Sequence, residues 1–557
     1  MPEPVSLLWP PGFPAASRPA SQPGQWCDDL GLDYLVPALD YDGRHADAVR
    51  AILTALDNPP EVIRYRQQVL ADLDTSESLL AQLADRLPLL YGLHDLRRPL
   101  HLPTDNELLQ VVRRLHELEL YTEAVRGLLA ALEPATLGSP GLSQLRRYLA
   151  ETARSEKFQR LVSELPALRE AAEKVSSVTI GVNLDEEARP VAATLLSVND
   201  RPFSGQRSLL ARLLGRVPDD VAGAGIAPLH READFSPSPF LEPLFRDLAD
   251  VLRQVCGPIA RALAHYVDVS VAPLQSLADE VTFYLGAARL AHRLRAAGLP
   301  LCLPEILPTE QRTTRVIGLY NVGLALRLLD HPPAAGQPNR PVPSDLDMGP
   351  QGRSFVLTGP NLGGKTTFVQ AIGIAHVLAQ AGLPVPGESA LISPVDAIHT
   401  HFPAEEQTAR GTGRLGEEAE RLAGIFSRAT PGSLVLLNES LASTSPGEAL
   451  YLARDAMGAL RLLGARTIYA THLHELATRL DELNALAPTE PPTVSLVAGV
   501  VPTNQRAGDS DLGRTYRIAP GPPQGMSYAQ EVARRHGISL DQLRERLRQR
   551  GVGPAEE

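Results

Sequence analysis

The octapeptide GPNLGGKT at residues 359–366 restricts the fold more than any other stretch of this chain. It has the spacing G-x-x-x-x-G-K-[ST], in which glycines let backbone N–H groups close around a phosphate while the next helix turns its positive end toward it. Such a loop has to leave a strand and open a helix, and parallel strands need crossover connections of this kind. SFVLTG (354–359) supplies the strand, and the apolar runs SLVLLN (433–438) and TIYATH (467–472) supply two more, with helical segments between them. Residues 354–526 therefore read as an α/β P-loop domain. TVSLVAGVVP (493–502) and TYRIAPG (515–521) read as edge strands, and residues 527–557 as a closing helical segment and tail.

Ahead of this domain, the Pro- and Gly-rich residues 331–353 read as a linker. Residues 46–330 carry a helical period: Val62, Tyr65, Val69 and Leu73 fall on one face, as do Leu108, Val111, Leu115 and Leu118. Thr104 and Glu107 form a capping box at the start of the second of these helices. The period shifts to two at VTIGVNL (178–184) and AATLLSV (192–198), a short β-hairpin over 178–198. Helical spacing returns at Leu244, Leu248, Val251 and Val255. Residues 1–45 are rich in Pro and poor in periodicity, and read as a loosely ordered arm. The expected fold class is multidomain: a mostly α-helical region with a short β-hairpin, followed by the α/β domain.

Composition removes several function classes. No apolar run reaches the roughly 18 residues a membrane span needs. The first residues lack the basic start of a leader, and Pro10 and Pro11 cut their apolar stretch. Cys27, Cys256 and Cys302 lie far apart with no metal-ligand spacing, which suits buried thiols in a reducing cytoplasm. A formal net charge of -12 argues against a surface that coats nucleic acid indiscriminately, though not against a local basic patch. Nearly every basic residue is Arg; the three lysines are Lys157, Lys174 and Lys365. The lysine kept in the phosphate loop points to a need for a compact ammonium rather than a planar fork.

The expected chemistry gathers at three strand ends. Gly359, Gly363 and Gly364 open the phosphate loop, Lys365 offers a point charge, and Thr366 offers a hydroxyl to Mg²⁺. Glu439 ends the second core strand, where a carboxylate can take a proton from an attacking water. His472 ends the third and is placed to hydrogen-bond a γ-phosphate. The alternatives for it are a metal site with His474 and Glu475, or a satisfied core residue. His399 and His401 read as plain strand residues, since no third ligand is identifiable.

LTGPNLGGKTTF, LVLLNESLASTSPGEAL and ATHLHEL together resemble the ATPase domain of MutS-family DNA mismatch repair proteins, whose motifs read TGPNMGGKST and DEIGRGTST. VPSDLDM (342–348), QGMSYAQEVARRHGIS (524–539), NPPEVIRYRQQVLADL and LHDLRR (93–98) extend the likeness over roughly residues 50–549. The resemblance implies that residues 46–330 are a core and lever, and that the chain is a homodimer of ABC-type ATPase domains with ATP and Mg²⁺ as cofactors. ATP would contact Pro360, Asn361 and Thr367 as well as the residues already named. Val342 and Ser344 would lie near the adenine, Leu441 to Ser445 would face the partner's nucleotide, and residues 527–557 would serve dimerisation. Mg²⁺ would be held by Thr366 and, through water, by Asn438. The implied partners are DNA, recognised by structure rather than sequence, and downstream repair proteins.

The departures from the family pattern are as informative. No room precedes the lever for a mismatch-reading domain, and the one Phe-x-Glu, Phe240-Leu241-Glu242, lies in the helical region. No nuclease-like Smr extension is expected. The family's GRST appears as GTGR (411–414), with Gly413 in place of Ser, and GRGTST as LASTSP, which keeps Thr444 and Ser445. Arg201, Arg207, Arg212 and Arg216 either touch phosphates or form a solvated helix face. The first acid of the second motif is Asn438. Its amide keeps an acceptor and loses a charge, a difference on the order of 1 to 2 kcal/mol. The expectation is a slow ATPase acting on DNA in mismatch repair or related repair and recombination. The competing reading is a nucleotide-switched structural protein with little hydrolysis. A transporter ATPase fits poorly, because LSGGQ is absent.

Overall fold

The structure is a computed structural model describing residues 5–96, 107–173, 177–187, 190–199, 201, 259–332, 339–403, 413–501, 513–523 and 537–550. The chain forms two compact units, residues 1–6, 81–136 and 142–278, and residues 7–80, 137–141 and 279–557. These do not coincide with the boundary expected at 331–353, because residues 7–80 and 279–330 group with the α/β residues.

The first part of the chain is helical: α1 (Gln25–Leu30), α2 (Leu32–Leu39), α3 (Ala46–Thr54), α4 (Pro60–Thr75), α5 (Glu77–Asp95), α6 (Glu107–Leu132), α7 (Pro140–Arg154) and α8 (Glu156–Glu173). The helical periods hold where side chains are described: Val62, Tyr65, Val69 and Leu73 of α4 are buried, as are Leu115 and Leu118 of α6. Strands β1 (Ser177–Leu184) and β2 (Pro190–Asn199) pair antiparallel as the expected hairpin. Helix α9 (Ala272–Ala296) follows. The expected helical face at Leu244 to Val255 lies outside the described residues, as does Thr104 of the capping box.

The N-terminal residues depart from the loose arm expected of them. Leu7 and Leu8 are buried, Tyr284 Oη donates to the Leu7 carbonyl at 2.8 Å, and Arg66 Nε donates to the Leu8 carbonyl at 3.0 Å. Trp26, Leu30, Leu32, Leu35 and Leu39 are buried along α1 and α2. Two helices of six and eight residues are too short to display a period, so their anchoring came from partners distant in sequence.

The site is carried by the second unit. Besides α1 to α4, it contains β3 (Leu301–Cys302), β4 (Glu305–Ile306), β5 (Thr314–Leu319), α10 (Val322–Asp330), β6 (Ser344–Met348), β7 (Ser354–Thr358), α11 (Lys365–Gln380), β8 (Val385–Pro386), β9 (Ser389–Ile392) and β10 (Ile398–His401). Then come α12 (Gly413–Phe426), β11 (Leu434–Asn438), α13 (Pro446–Leu463), β12 (Arg466–Ala470), α14 (His474–Thr478), α15 (Leu480–Leu486), β13 (Thr493–Val501), β14 (Gly513–Pro520) and α16 (Leu540–Gln549). A six-stranded sheet runs β10-β11-β12-β7-β13-β14, parallel except for β14. β11, β12 and β7 are buried along their whole length, as strands covered on both faces must be. Leu437 and Tyr469 point into a core shared with Leu422, Met457 and Leu483 from α12, α13 and α15. Leu436 points the other way, toward Gly373 of α11. Only β14 forms the edge expected of both late segments; β13 lies inside, between β7 and β14. A lone strand's composition says little about its neighbours, so sheet order was not legible there.

Two buried bases show how tightly this unit closes. Arg466 of β12 donates to the carbonyls of Ser393 at 2.7 Å and Pro394 at 2.8 Å. His376 of α11 is fully buried, with Nε2 3.0 Å from Thr314 Oγ1. Burial, then the Arg466 charge, push its pKa well below the ordinary 6.5. Below about pH 6.5 the unfolded chain takes up a proton that the native state refuses, so stability is full above that pH and falls with acid, by at most about 1.4 kcal/mol per unit. His376→Gln is expected to reduce the decline of the urea midpoint between about pH 6.5 and 5.5, and an unchanged slope would contradict this.

Candidate nucleotide site

β7 ends at Thr358, and the chain turns through residues 359–364 into α11 at Lys365. Gly359 and Gly364 hold φ of 144° and 93°, which side chains resist. A Cβ on Gly359 would also come within 2.6 Å of the Ala498 Cβ on β13, so this glycine is needed for contact as well as conformation. Leu362 stands at the loop's tip with φ 59° and 76% exposure.

A cavity of about 620 Å³ adjoins the loop. Sites for small ligands run from roughly 300 to 1,000 Å³. Every residue from Pro360 to Thr367 lines it, including Asn361, Gly363 and Thr366, and so does Glu439. Val342 and Ser344 line it too, although Ser344 Oγ already accepts the Ile518 N–H at 2.9 Å.

Lys365 is 5% exposed; its Nζ donates to the carbonyls of Gly359 at 2.9 Å and Pro360 at 3.2 Å, and lies 3.4 Å from Glu439 Oε1. Burial lowers its pKa, and Glu439 offsets part of that. Glu439 sits one residue beyond β11, with its N–H donating to the Ala470 carbonyl at 2.8 Å and a left-handed φ of 49°. Its Oε1 lies 3.0 Å from His472 Nε2. Burial pushes this carboxyl up, but the hydrogen bond and charge of His472, with Lys365, outweigh it and leave the pKa below its ordinary value. Glu439 is therefore an ionised carboxylate at neutral pH, half-buried beside a phosphate loop, as a general base has to be.

Thr366 Oγ1 donates to Asn438 Oδ1 at 3.2 Å. A hydroxyl and an amide carbonyl are hard oxygen donors of the kind Mg²⁺ takes, directly or through water, so this pair fits that ion. When bound, Mg²⁺ would neutralise charge on the phosphates. Among the described residues, no group of three or more His, Cys, Asp or Glu is placed to hold a metal, and His474 Nδ1 is buried without a partner.

The turn after β11 is held by a chain of hydrogen bonds. Tyr469 Oη donates to the Ser440 carbonyl at 2.6 Å, and Ser440 Oγ lies 2.7 Å from His401 Nδ1. His401 Nε2 lies 3.2 Å from the Glu418 carbonyl, which can only accept, so Nε2 carries the proton and Nδ1 accepts from the Ser440 hydroxyl, which also donates to the His401 carbonyl at 3.1 Å. Burial, helped by the Arg421 charge, lowers the His401 pKa to about 4 and keeps the ring neutral. His399 and His401 do lie on a strand, β10, but His401 is tied to the site's turn. Farther on, Thr444 and Ser445 hydroxyls both donate to Glu448 Oε2, at 2.6 and 2.8 Å, and Ser445 caps α13. The Ser-x-x-Glu spacing with Pro446 at the first helical position announces that start.

Several residues that line the cavity carry no motif signal. Tyr516 lines it with φ 54°, and Arg340 does so as an exposed cation. Asn321 caps α10 and donates Nδ2 to the Thr367 carbonyl at 3.1 Å. Arg201 is exposed. Arg207, Arg212, Arg216, Phe240-Leu241-Glu242 and the Ser-Tyr segment at 524–536 lie outside the described residues, and Gly413 opens α12.

Residues 355–538 match the family model for MutS domain V, and residues 58–297 match that for the MutS2 N-terminal domain. A DNA mismatch repair protein MutS of Granulibacter bethesdensis is 36% identical over 44% of this chain and 26% of its own length. An Endonuclease MutS2 of Thermomicrobium roseum is 28% identical over 75% of this chain and 54% of its own. A DNA mismatch repair protein MutS 2 of Halobacterium salinarum is 33% identical over 37% of this chain and 23% of its own. The chain thus spans between about a quarter and about half of the length of these relatives.

Proposed function

The chain belongs to the MutS family, and from that premise we propose that it binds ATP with Mg²⁺ and hydrolyses it slowly, as a homodimer whose nucleotide state moves helical levers on DNA. The observation that carries this reading is the Glu439 carboxylate, ionised on the cavity wall between Lys365 and His472. Lys365, with the loop amides, binds the phosphates; Thr366 and Asn438 hold the metal side; Glu439 takes the proton of the attacking water, and His472 orients Glu439 and senses the γ-phosphate.

The setting proposed is cytoplasmic repair or recombination, with DNA structure rather than sequence as the thing recognised. No helix of the described residues is long and apolar enough to cross a membrane. The test is DNA binding and ATP turnover across homoduplex, mismatched and branched DNA at one fixed salt concentration, since phosphate contacts weaken steeply with salt. Tighter ATP-dependent binding to one branched or mismatched form is expected. Equal, weak, salt-quenched binding to all forms would remove DNA recognition while leaving the ATPase.

Asn438 favours a second reading, a nucleotide-switched structural protein that acts through protein partners. Turnover that stays negligible at saturating Mg²⁺, with nucleotide still bound, would select it.

A further inference from the structure

Glu439 and Leu441 both hold left-handed φ, 49° and 65°, which non-glycine residues adopt only where the surroundings impose it. The side chain that has to face the attacking water thus hangs from a turn the backbone does not favour by itself. What imposes the turn is visible in the register. His401, Leu437 and Tyr469 lie in one row across β10, β11 and β12, directly before Asn438. Three residues after Leu437, Ser440 folds back between the two flanking side chains and meets both. Tyr469 Oη donates to the Ser440 carbonyl at 2.6 Å, and the Ser440 hydroxyl lies 2.7 Å from His401 Nδ1 and donates to the His401 carbonyl at 3.1 Å. His401 is itself fixed from the far side by the Glu418 carbonyl at 3.2 Å. All three side chains are nearly inaccessible: His401 1%, Ser440 4%, Tyr469 1%.

We propose that the His401–Ser440–Tyr469 chain is a positioning device for Glu439, holding the left-handed turn that aims its carboxylate. None of the three has to touch nucleotide for this. The inference rests on Glu439 being the general base. It predicts that loosening the chain lowers the rate of the chemical step and leaves nucleotide binding alone, because the hydrogen bonds of the three side chains run to one another and to the Glu418 and His401 carbonyls, not to residues 359–366. A misplacement of a reacting group by about 1 Å can cost on the order of a hundredfold.

The variants are Tyr469→Phe, which deletes one oxygen and keeps the shape of the core, Ser440→Ala, His401→Phe, and His401→Asn, whose amide oxygen can replace Nδ1 as the acceptor. In the full-length protein, kcat for ATP and the Kd of a fluorescent non-hydrolysable ATP analogue are measured together, with Glu439→Gln as reference. Expected are falls in kcat of about tenfold for Tyr469→Phe, Ser440→Ala and His401→Phe, with analogue Kd within about twofold of the parent. The Ser440→Ala/His401→Phe double variant should be no worse than the weaker single, and His401→Asn should recover most of the rate. Parent-like kcat in Tyr469→Phe and Ser440→Ala, with Glu439→Gln inactive, would overturn the positioning role alone. Parent-like turnover in Glu439→Gln would instead overturn the assignment of the base.

Discussion

Replacing Glu439 with Gln is expected to lower ATP turnover by about three orders of magnitude while nucleotide affinity stays within about threefold or tightens, since general bases contribute roughly 10² to 10⁴. The amide occupies the same space on the cavity wall and keeps an acceptor for His472, so the geometry is preserved. What disappears is the carboxylate that His472 and Lys365 hold ionised. Affinity should not suffer, because Lys365, released from a carboxylate 3.4 Å away, keeps its charge for the phosphates. Single-turnover hydrolysis together with analogue binding checks both halves, and retained turnover would assign the base elsewhere.

Removing the ammonium has the opposite profile. Lys365→Ala is expected to raise the nucleotide Kd by about a hundredfold, from the loss of charge-assisted contacts contributing roughly 1.5 to 3 kcal/mol each. Lys365 also closes the loop on itself through the carbonyls of Gly359 and Pro360, so its loss leaves the empty loop without two internal bonds. Lys365→Arg should not rescue binding, because a planar guanidinium does not fit a position 5% exposed that serves a point charge. Equilibrium binding of a fluorescent nucleotide separates the outcomes; affinity restored by Arg would show that any cation suffices.

How far the sequence reached differs from residue to residue. The loop at 359–366 was legible because its chemistry fixes residue types at set spacings; that Glu439, at the end of a different strand, lines the same cavity as Lys365 and Thr366 is a matter of sheet order that the spacing does not carry. Buried strands were legible as apolar runs, which is why β7, β11 and β12 were expected almost to the residue. The His401–Ser440 pair was not, because its partners lie 39 residues apart and meet only through strand register. A left-handed Glu439 was likewise hidden, since nothing in NESL announces φ above zero. The anchoring of residues 5–45 escaped for the same reason as sheet order: Leu7 and Leu8 are held by Tyr284 and Arg66, and local composition carries no trace of them.

We propose that this site keeps its base and has a loosened grip on the metal. Asn438 Oδ1 accepts from Thr366 at 3.2 Å, as a carboxylate there could, but without the charge. ATP turnover of the parent and of Asn438→Asp, titrated with Mg²⁺ at saturating ATP, tests this most directly. The expected result is turnover in both, with half-saturation at about tenfold lower Mg²⁺ in Asn438→Asp. The same Mg²⁺ requirement in both proteins would contradict it.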